Sequence, residues 1–459
     1  MTIISNEREN NKENEDKIRG FFKLFKVLSV LRRFGADRKN GYQLNDVWTF
    51  IFSLVFTERN LYRTVHSEGY CGMGNDVVHR FLNNIKIHWE KVLVYIAIAV
   101  IIRIEPLTSE NRRNAIVVDD TPYSRDRSKK VELLSKCRDH SKNCYYKGFR
   151  DLSVGWTDGV DFIPFAFQLM ASSDSGLRLC EAKKHDGRTL AARRRKAAVK
   201  PMPERLLDIL KMSKTMKIPA DYVLFDTWFA SPKSLINITN IGYHVVAMLA
   251  RDKTKYLHNG EKKTLNQIYR SLKKRPGKSK YLSSTLVTIV DSKSKSAFEV
   301  KLVFVRNKNN KKDWKVLVST DTKLSEQEII ELYGKRWCIE VFFKTCKSYL
   351  KLAKEYQGRS YDMLTAHTTV VYLRYVMLAW FSRQETDFRT INDGFFRLCD
   401  EKADITFAEA LRFLLNLVQS ALSEIFWLAP EQLSELMDAF IAKLPRSLQY
   451  SLGFAYRES

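Results

Sequence analysis

Two aspartates follow directly after short apolar runs that have strand character. Asp119 follows the apolar residues 116–118, and Asp226 follows the apolar residues 223–225. A carboxylate at the end of a buried strand is costly unless a cation or hydrogen bonds compensate its charge. Ligands of α/β sheets bind just beyond the carboxyl ends of the strands, so two such acids on neighbouring strands predict a site for a divalent cation. A turn or capping role is the alternative for each, because Asp-Asp-Thr-Pro at 119–122 is also favourable turn sequence.

A third acid, Glu340, lies in a segment, residues 333–347, that we predict to be one continuous helix. At about 100° per residue its polar side chains fall on one stripe about 80° wide, and its apolar side chains fall on the other side. A lone acid among bases on a helix is commonly a salt-bridge face, but three cations exceed what one carboxylate needs. The segment therefore predicts a metal-binding acid flanked by phosphate-binding cations. The stripe consists of Tyr333, Arg336, Glu340, Lys344 and Lys347.

The spacing Tyr-x2-Arg-x3-Glu-x6-Lys resembles the YREK signature of bacterial insertion-sequence transposases that have a DDE active site. It is formed here by Tyr333, Arg336, Glu340 and Lys347. The sequences VVDDT around Asp119 and LFDTWF around Asp226 resemble the first and second acids of that family, and the resemblance covers roughly residues 110–380. It implies a cut-and-paste, hairpin-forming transposase.

The resemblance also implies what each residue does. Asp119, Asp226 and Glu340 would be the catalytic acids and would hold two Mg²⁺ ions, with Mn²⁺ as an alternative, for two-metal phosphoryl transfer. Arg336 and Lys347 would contact phosphates near the transposon end, Lys344 would add a contact, and Tyr333 would help to hold a distorted terminal nucleotide. The implied partners are double-stranded DNA, as transposon ends and as target, and a second copy of the chain on the paired ends.

The first acid has a neighbouring alternative. Asp119 and Asp120 are adjacent, and because side chains alternate along a strand only one of them should face the site. RNase H-like enzymes often carry the first acid as Asp-x-Ser/Thr, and Asp119-Asp120-Thr121 fits that form with Asp119 as the metal ligand. This favours Asp119, and Asp120 stays open.

The elements that must position these residues alternate between strand and helix patterns, which indicates a mixed α/β sheet. We predict an RNase H-like mixed sheet, a β-rich insertion before the last catalytic helix, and helical N- and C-terminal regions. Strand runs are expected at 152–156, 162–169, 282–290, 298–305 and 314–319, and the polar stretch 124–150 is expected to be a long functional loop. The predicted regions are a disordered tail (1–16), a helical DNA-binding domain (17–110), the catalytic domain (111–250 and 321–384), the insertion (251–320) and a helical C-terminal region suited to dimerisation (385–459).

The composition favours a polyanionic partner. Lys plus Arg number 77 against 52 Asp plus Glu, which gives a formal net charge of +25, and such an excess is typical of proteins that bind nucleic acid. The longest apolar run, residues 92–102, is too short to span a bilayer and indicates a buried helix. With no membrane segment and no signal peptide expected, we predict a cytoplasmic, nucleoid-associated bacterial protein.

Two other functions remain as alternatives. One is a catalytically inactive DNA-binding protein with the same fold, and the presence of all three acids argues against it. The other is an RNase H-fold nuclease that cleaves without joining, and such an enzyme has no need of the Tyr/Arg/Lys stripe.

Overall fold

The computed structural model describes residues 17–449 apart from positions 39, 58, 68–71, 109–111, 140–141, 277–278, 291–296, 308–309, 385–390, 427–429 and 446–447. The tail predicted to be disordered, residues 1–16, lies outside the described residues. So does part of the predicted C-terminal region.

The chain begins with a group of helices that share one apolar core with the rest of the molecule. The last of them is apolar on nearly every side because it packs between a second long helix and a strand of the sheet. This confirms that the apolar run at 92–102 is a buried helix. The N-terminal helices are α1 (Lys17–Leu24), α2 (Val27–Arg33), α3 (Leu44–Ser53), α4 (Leu61–Val65), α5 (Asn75–Leu82) and α6 (Trp89–Ile104).

Within the described residues, a mixed sheet of eleven strands forms the centre of the structure. Its order is β2-β3-β1-β5-β6-β11-β10-β9-β7-β8, and β4 pairs with the far half of β3. The pairs β1–β5 and β5–β6 are parallel, and all other pairs are antiparallel. The first six strands are β1 (Ala115–Ser124), β2 (Ser135–Asp139), β3 (Cys144–Thr157), β4 (Phe162–Met170), β5 (Tyr222–Phe225) and β6 (His244–Leu249).

The prediction of a long functional loop at 124–150 is wrong for much of that segment. Residues of β2 pair in antiparallel register with the first part of β3, so that Cys137 lies opposite Tyr146. Both of these side chains are buried, whereas Lys136 and Arg138 on β2 are exposed. A strand with one face in solvent carries polar residues at alternate positions, and here those polar residues hid the strand pattern.

The strands of the predicted insertion continue the central sheet. The runs predicted at 282–290, 298–305 and 314–319 are confirmed as strands, and the last of them pairs antiparallel with β6. The predicted domain boundaries stay a prediction. Hydrogen bonds between Val245 and Thr320 link the predicted catalytic domain to the predicted insertion. The elements of this region are β7 (Lys255–His258), β8 (Glu261–Thr264), β9 (Ser283–Val290), β10 (Ala297–Asn307) and β11 (Asn310–Ser319).

Helices flank the sheet. Two lie between β4 and β5, one follows β5, and one lies within the insertion. The described chain after β11 consists mainly of helices, and its helix at 361–384 is buried along most of its length. In the described part of the chain no helix is long and apolar enough to cross a membrane. These helices are α7 (Leu190–Ala198), α8 (Met202–Thr215), α9 (Pro232–Asn240), α10 (Leu265–Ser271), α11 (Glu326–Gly334), α12 (Trp337–Ser348), α13 (Tyr361–Gln384), α14 (Ile391–Phe426) and α15 (Pro430–Ala442).

The single helix predicted over 333–347 is wrong, because two helices meet there. Helix α11 starts at a capping box formed by Ser325 and Glu328 and ends at Gly334. Four backbone N–H groups between Lys335 and Ile339 donate to the carbonyl three residues back, among them Arg336 N–H to Tyr333 O at 3.1 Å. Such bonds wind the chain more tightly than an α-helix. The two helices are therefore separated by a tight turn at Lys335 and Arg336, both of which have right-handed helical φ and ψ angles, and we call this turn the break.

Candidate active site

Asp119 and Asp226 are brought side by side by the parallel pairing of β1 and β5. Ala115 pairs with Tyr222 and Val117 with Leu224, and the same register two residues further on sets Asp119 beside Asp226. Neighbouring strands lie about 4.8 Å apart, and residues at matching positions point to the same face. The backbone N–H of Trp228 donates to Asp226 Oδ1 at 3.0 Å, which holds that carboxylate at the end of β5.

Arg336 joins Glu340 to this pair. Its Nη1 donates to Asp119 Oδ2 at 2.8 Å, and its Nη2 donates to Glu340 Oε1 one helical turn along. Helix α12 also packs against β1. Asp119 and Glu340, far apart in the chain, are therefore held by one guanidinium. We refer to Asp119, Asp226 and Glu340 as the acid cluster.

The charge of the acid cluster is only partly compensated. Burial raises the pKa of Asp119 to about 7, and the negative charge of Asp226 acts in the same direction, whereas Arg336 opposes both. Like charges held close together in a poorly solvated site favour a bound cation or proton. A bound cation would thus stabilise the acid cluster more than it would stabilise separate acids on the surface.

The donor set fits a hard divalent cation. All three members are carboxylates, and oxygen ligands of this kind suit Mg²⁺ or Mn²⁺. Within the described residues, no three His, Cys, Asp or Glu side chains are yet close enough to hold a metal ion together. The guanidinium of Arg336 lies between Asp119 and Glu340, so a cation shared by these two acids has to displace it.

Asp120 lies on the opposite face of β1 and has a different partner. Arg150 on β3 binds it through both Nε and Nη2, the latter at 2.7 Å from Oδ1. Only 5% of the Asp120 side chain is exposed. The same guanidinium lies 4.9 Å from the ring centre of Trp228. The geometry thus brings Asp119, and not Asp120, into contact with Arg336, and the choice of the first metal ligand stays a prediction.

The remaining predicted residues lie around the acid cluster at different depths. The ring of Tyr333 is half-buried, 5.9 Å from the guanidinium carbon of Arg336. Lys347 donates from Nζ to Thr121 Oγ1 at 2.5 Å, two residues along β1 from Asp119. Lys344 is exposed, one turn beyond Glu340 on α12. Their roles toward DNA stay predictions.

Three residues near the site were not singled out from the sequence. Arg150 fell in the stretch predicted to be a loop, and Trp228 was noted only as part of the segment around Asp226. Asp151 lies opposite Thr121 in the β1–β3 pairing and is fully buried. Burial raises its pKa to about 7, and Tyr372 Oη donates to its Oδ2 at 2.8 Å. A contact between distant strands leaves no local signal that could have revealed Arg150 or Asp151.

A family model described as DDE superfamily endonuclease matches residues 64–300, just over half of the chain. The match includes Asp119 and Asp226 and ends before Glu340. No curated protein matches the sequence. Endonucleases of the DDE type act on DNA and typically use divalent metal ions. This chain belongs to the DDE superfamily endonuclease family.

Proposed function

We propose that this protein is a DNA transposase of the insertion-sequence type. It binds transposon ends, cleaves the DNA and joins the 3′-hydroxyl ends to target DNA. The observation that supports this most is the Arg336 bridge between Asp119 and Glu340. It connects the Tyr/Arg/Glu/Lys segment to the strand-end acids, and a nuclease that only hydrolyses DNA has no need of that segment.

The acid cluster would supply the metal chemistry. Two Mg²⁺ or Mn²⁺ ions held by Asp119, Asp226 and Glu340 would activate the attacking water or 3′-hydroxyl and stabilise the leaving oxygen. Asp119 must lose its proton to serve as a ligand, and its pKa of about 7 allows this near neutral pH.

The cations around the cluster would bind the DNA backbone. Arg336 would exchange its carboxylate partners for phosphate oxygens, which a planar guanidinium binds in the same two-pronged way. Lys347 and Lys344 follow Glu340 on the same helix and would contact the strand beyond it. Tyr333 would support the displaced terminal nucleotide, and the helical region at 17–110 would contact the transposon end.

The test first identifies the inverted repeats in the DNA that flanks the coding sequence, and then uses a duplex carrying one of them, a supercoiled plasmid and Mg²⁺. We expect the wild-type protein to cleave the duplex and to join its 3′ end to the plasmid. Asp226→Asn and Glu340→Gln should bind the duplex without cleaving it. Hydrolysis without joined products would favour the nuclease alternative, and binding without any cleavage by the wild type would favour the inactive one.

The same assay separates Asp119 from Asp120. We expect Asp119→Asn to lose Mg²⁺-dependent cleavage, and Asp120→Asn to retain a measurable part of it because Asp120 pairs with Arg150. The opposite result would move the first metal ligand to Asp120. Cleavage at the wild-type rate by a pure Glu340→Gln protein would show that Glu340 is not a catalytic acid.

We also propose that the C-terminal helices pair two copies of the chain. Helices α14 and α15 leave a group of large apolar side chains exposed, and exposed patches of this kind mark interaction surfaces. Light scattering after gel filtration should find a dimer for the wild type and a monomer for Leu414→Asp, whereas Asn416→Asp on the same helix should stay dimeric. A monomeric wild type would contradict this. The exposed group includes Phe407, Leu414, Leu417, Val418, Leu436 and Phe440.

A further inference from the structure

A group of buried polar side chains lies on the same face of the sheet as Asp119. On β3, Ser153 is paired directly opposite Asp119. Asp151, two residues before Ser153, is paired opposite Thr121. Side chains that are paired in this way share one face of a sheet. Asp151 and Ser153 are both fully buried, and the metal chemistry proposed for the acid cluster uses neither of them.

Tyr372 on α13 orients the carboxyl group of Asp151. Its hydroxyl donates to Asp151 Oδ2 at 2.8 Å and lies 2.6 Å from Ser153 Oγ. Since a tyrosine hydroxyl has one proton, and that proton goes to Asp151, Ser153 is the donor in the second bond. The donors of this chain therefore all point toward Asp151. Hydrogen bonds of this kind hold a carboxyl group in place and favour its ionised form.

Lys347 on α12 lies over the same pair of strands. Its Nζ donates to Thr121 Oγ1 at 2.5 Å, and Thr121 is the strand partner of Asp151. Burial lowers the pKa of Lys347, and the negative charge of Asp151 opposes this shift. Burial raises the pKa of Asp151, and the hydrogen bond from Tyr372 and the charge of Lys347 oppose that shift. The ammonium and the buried carboxyl group therefore stabilise each other's charge.

We propose that Asp151 is a positioning residue that holds the ammonium group of Lys347 beside the acid cluster. A lysine carries its charge on a flexible four-carbon stem, and an uncharged partner such as Thr121 restrains it only weakly. An anion that is itself held in place restrains it further, and Asp151 is held by Tyr372. The inference rests on the proposed function in one respect, namely that Lys347 contacts a DNA phosphate.

Asp139 is a second acid that acts on Lys347, from the end of β2. It is partly exposed, whereas Asp151 is fully buried, and solvent and salt screen a buried charge much less. Lys142, whose backbone N–H donates to Asp139 Oδ1 at 3.2 Å, brings a positive charge that acts on Lys347 in the opposite direction. Asp151 is therefore the stronger of the two anchors.

Acetylation of lysines tests the anchor without DNA. The full-length wild type and its variants are treated briefly with acetic anhydride at about pH 8, where Asp151 is mostly ionised, and mass spectrometry gives the rate at each lysine. Asp151→Asn should raise the rate at Lys347 by about three- to tenfold, because the freed amine is more accessible and its pKa falls. Lys344 is exposed on the same helix, and its rate should not change.

Three further variants make this result specific. Tyr372→Phe removes only the hydroxyl that orients Asp151, and it should raise the rate at Lys347 by a smaller factor. Asp139→Asn should change the rate little. Asp161→Asn, at a buried acid between β3 and β4, should not change it. An unchanged rate at Lys347 in Asp151→Asn, or a larger increase in Asp139→Asn, overturns the proposal.

Cleavage of the end duplex separates positioning from a general loss of structure. We expect Asp151→Asn to slow cleavage by about tenfold in the wild-type background. In a Lys347→Met background the same change should slow it no further, because Asp151 acts through Lys347. An equal loss in both backgrounds overturns the proposal. A wild type that cleaves no DNA would count against the proposed function, while the acetylation rates still decide whether Asp151 holds Lys347. Far-ultraviolet circular dichroism of each variant excludes unfolding.

Discussion

At the scale of single residues, Arg336 controls the charge of the acid cluster. It donates to Asp119 and Glu340 at once, and only 16% of its side chain and of Asp119 is exposed. A cation bound between these two acids competes with the guanidinium for the same oxygens. Arg336 can therefore bind either the acids of its own site or, in the proposed DNA complex, the phosphates of the substrate.

This competition gives a prediction for Arg336→Met. Without DNA and at about pH 9, which offsets the further rise in the pKa of Asp119 when Arg336 is removed, the variant should bind Mn²⁺ more tightly, by roughly tenfold for an ion pair worth about 1.4 kcal/mol. The affinity can be measured by electron paramagnetic resonance of free Mn²⁺. Arg150→Met is the control and should change the affinity little, because Arg150 pairs with Asp120. Weaker Mn²⁺ binding by Arg336→Met would show that the arginine supports the metal site.

Asp151 gives the folded protein a pH-dependent stability. Its pKa is about 7 in the folded chain against an ordinary value of 3.8, so the folded state binds the extra proton. Linkage then requires that its stabilising contribution, complete below about pH 4, is lost as the pH rises through about 7. The loss is at most about 4 kcal/mol, from about 1.4 kcal/mol per pKa unit.

The prediction for Asp151→Asn is a flatter pH profile. The amide has the shape of the protonated acid and does not titrate, and its oxygen can still accept from Tyr372. Guanidinium unfolding at about pH 5 and about pH 8 should show that the wild type loses several kcal/mol more than the variant. Parallel pH profiles of the two proteins would contradict the raised pKa of Asp151.

At the scale of elements, the break between α11 and α12 determines where the acid on α12 lies. Lys335 at the break donates from Nζ to Arg113 O at 2.7 Å and to Asp158 O at 3.0 Å. These bonds tie the break to one end of the β1–β3 pair, where Ala115 lies opposite Thr157. Gly334, just before it, is helical, and a Cβ there would meet no atom within 4 Å.

Gly334→Ala should therefore stabilise the protein. Alanine in a helix is favoured over glycine by about 0.5–1 kcal/mol, and nothing in the surroundings opposes the added methyl group. Gly35→Ala should do the reverse, because Gly35 has a φ of 94° and its Cβ would lie 2.6 Å from Lys86 O. Thermal unfolding of both variants measures this contrast, and a destabilised Gly334→Ala protein would mean that the break needs glycine.

Strand elements differed in how well the sequence revealed them. The buried strand β5 is a continuous apolar run, and the prediction found it. Strand β10 was found as well, although Glu299 and Lys301 interrupt its apolar residues. The prediction missed β2 because the exposed side chains of this strand are charged. It also missed the hairpin of β7 and β8, because the exposed β8 is mostly polar. One-sided exposure weakens the pattern on which a sequence-based prediction depends.

At the scale of the whole molecule, a buried ion network joins the N-terminal helix α6 to α7, to α13 and to the segment between β1 and β2. Arg195 donates from Nη2 to Glu132 at 2.8 Å and to Asp362 at 2.7 Å. Arg194 binds Asp362 as well, and it reaches Glu90 on α6 at 2.6 Å. Two positive charges of the basic segment around α7 are therefore paired with acids inside the protein and do not contribute to a nucleic-acid-binding surface.

Breaking this network should be costly. Arg195→Met leaves Glu132 and Asp362 buried without one of their cations, and the loss of one partner of a buried ion pair typically costs about 3–5 kcal/mol. Arg193→Met, at the exposed neighbouring position, should change stability by less than about 0.5 kcal/mol. Urea unfolding compares the two variants, and equal stabilities would mean that the network contributes little.

The sequence by itself determined the local features of this protein. The apolar runs before Asp119 and Asp226 became strands, and the polar stripe kept Arg336 and Glu340 on one face, because both depend on the spacing of neighbouring residues. The tertiary structure alone decided that Asp119 faces Arg336 and Asp120 faces Arg150, that β11 joins β6, and that Trp228 lies over Arg150. Each of these is set by strand register and by contacts between distant segments, and a shift of one residue would turn every side chain to the other face.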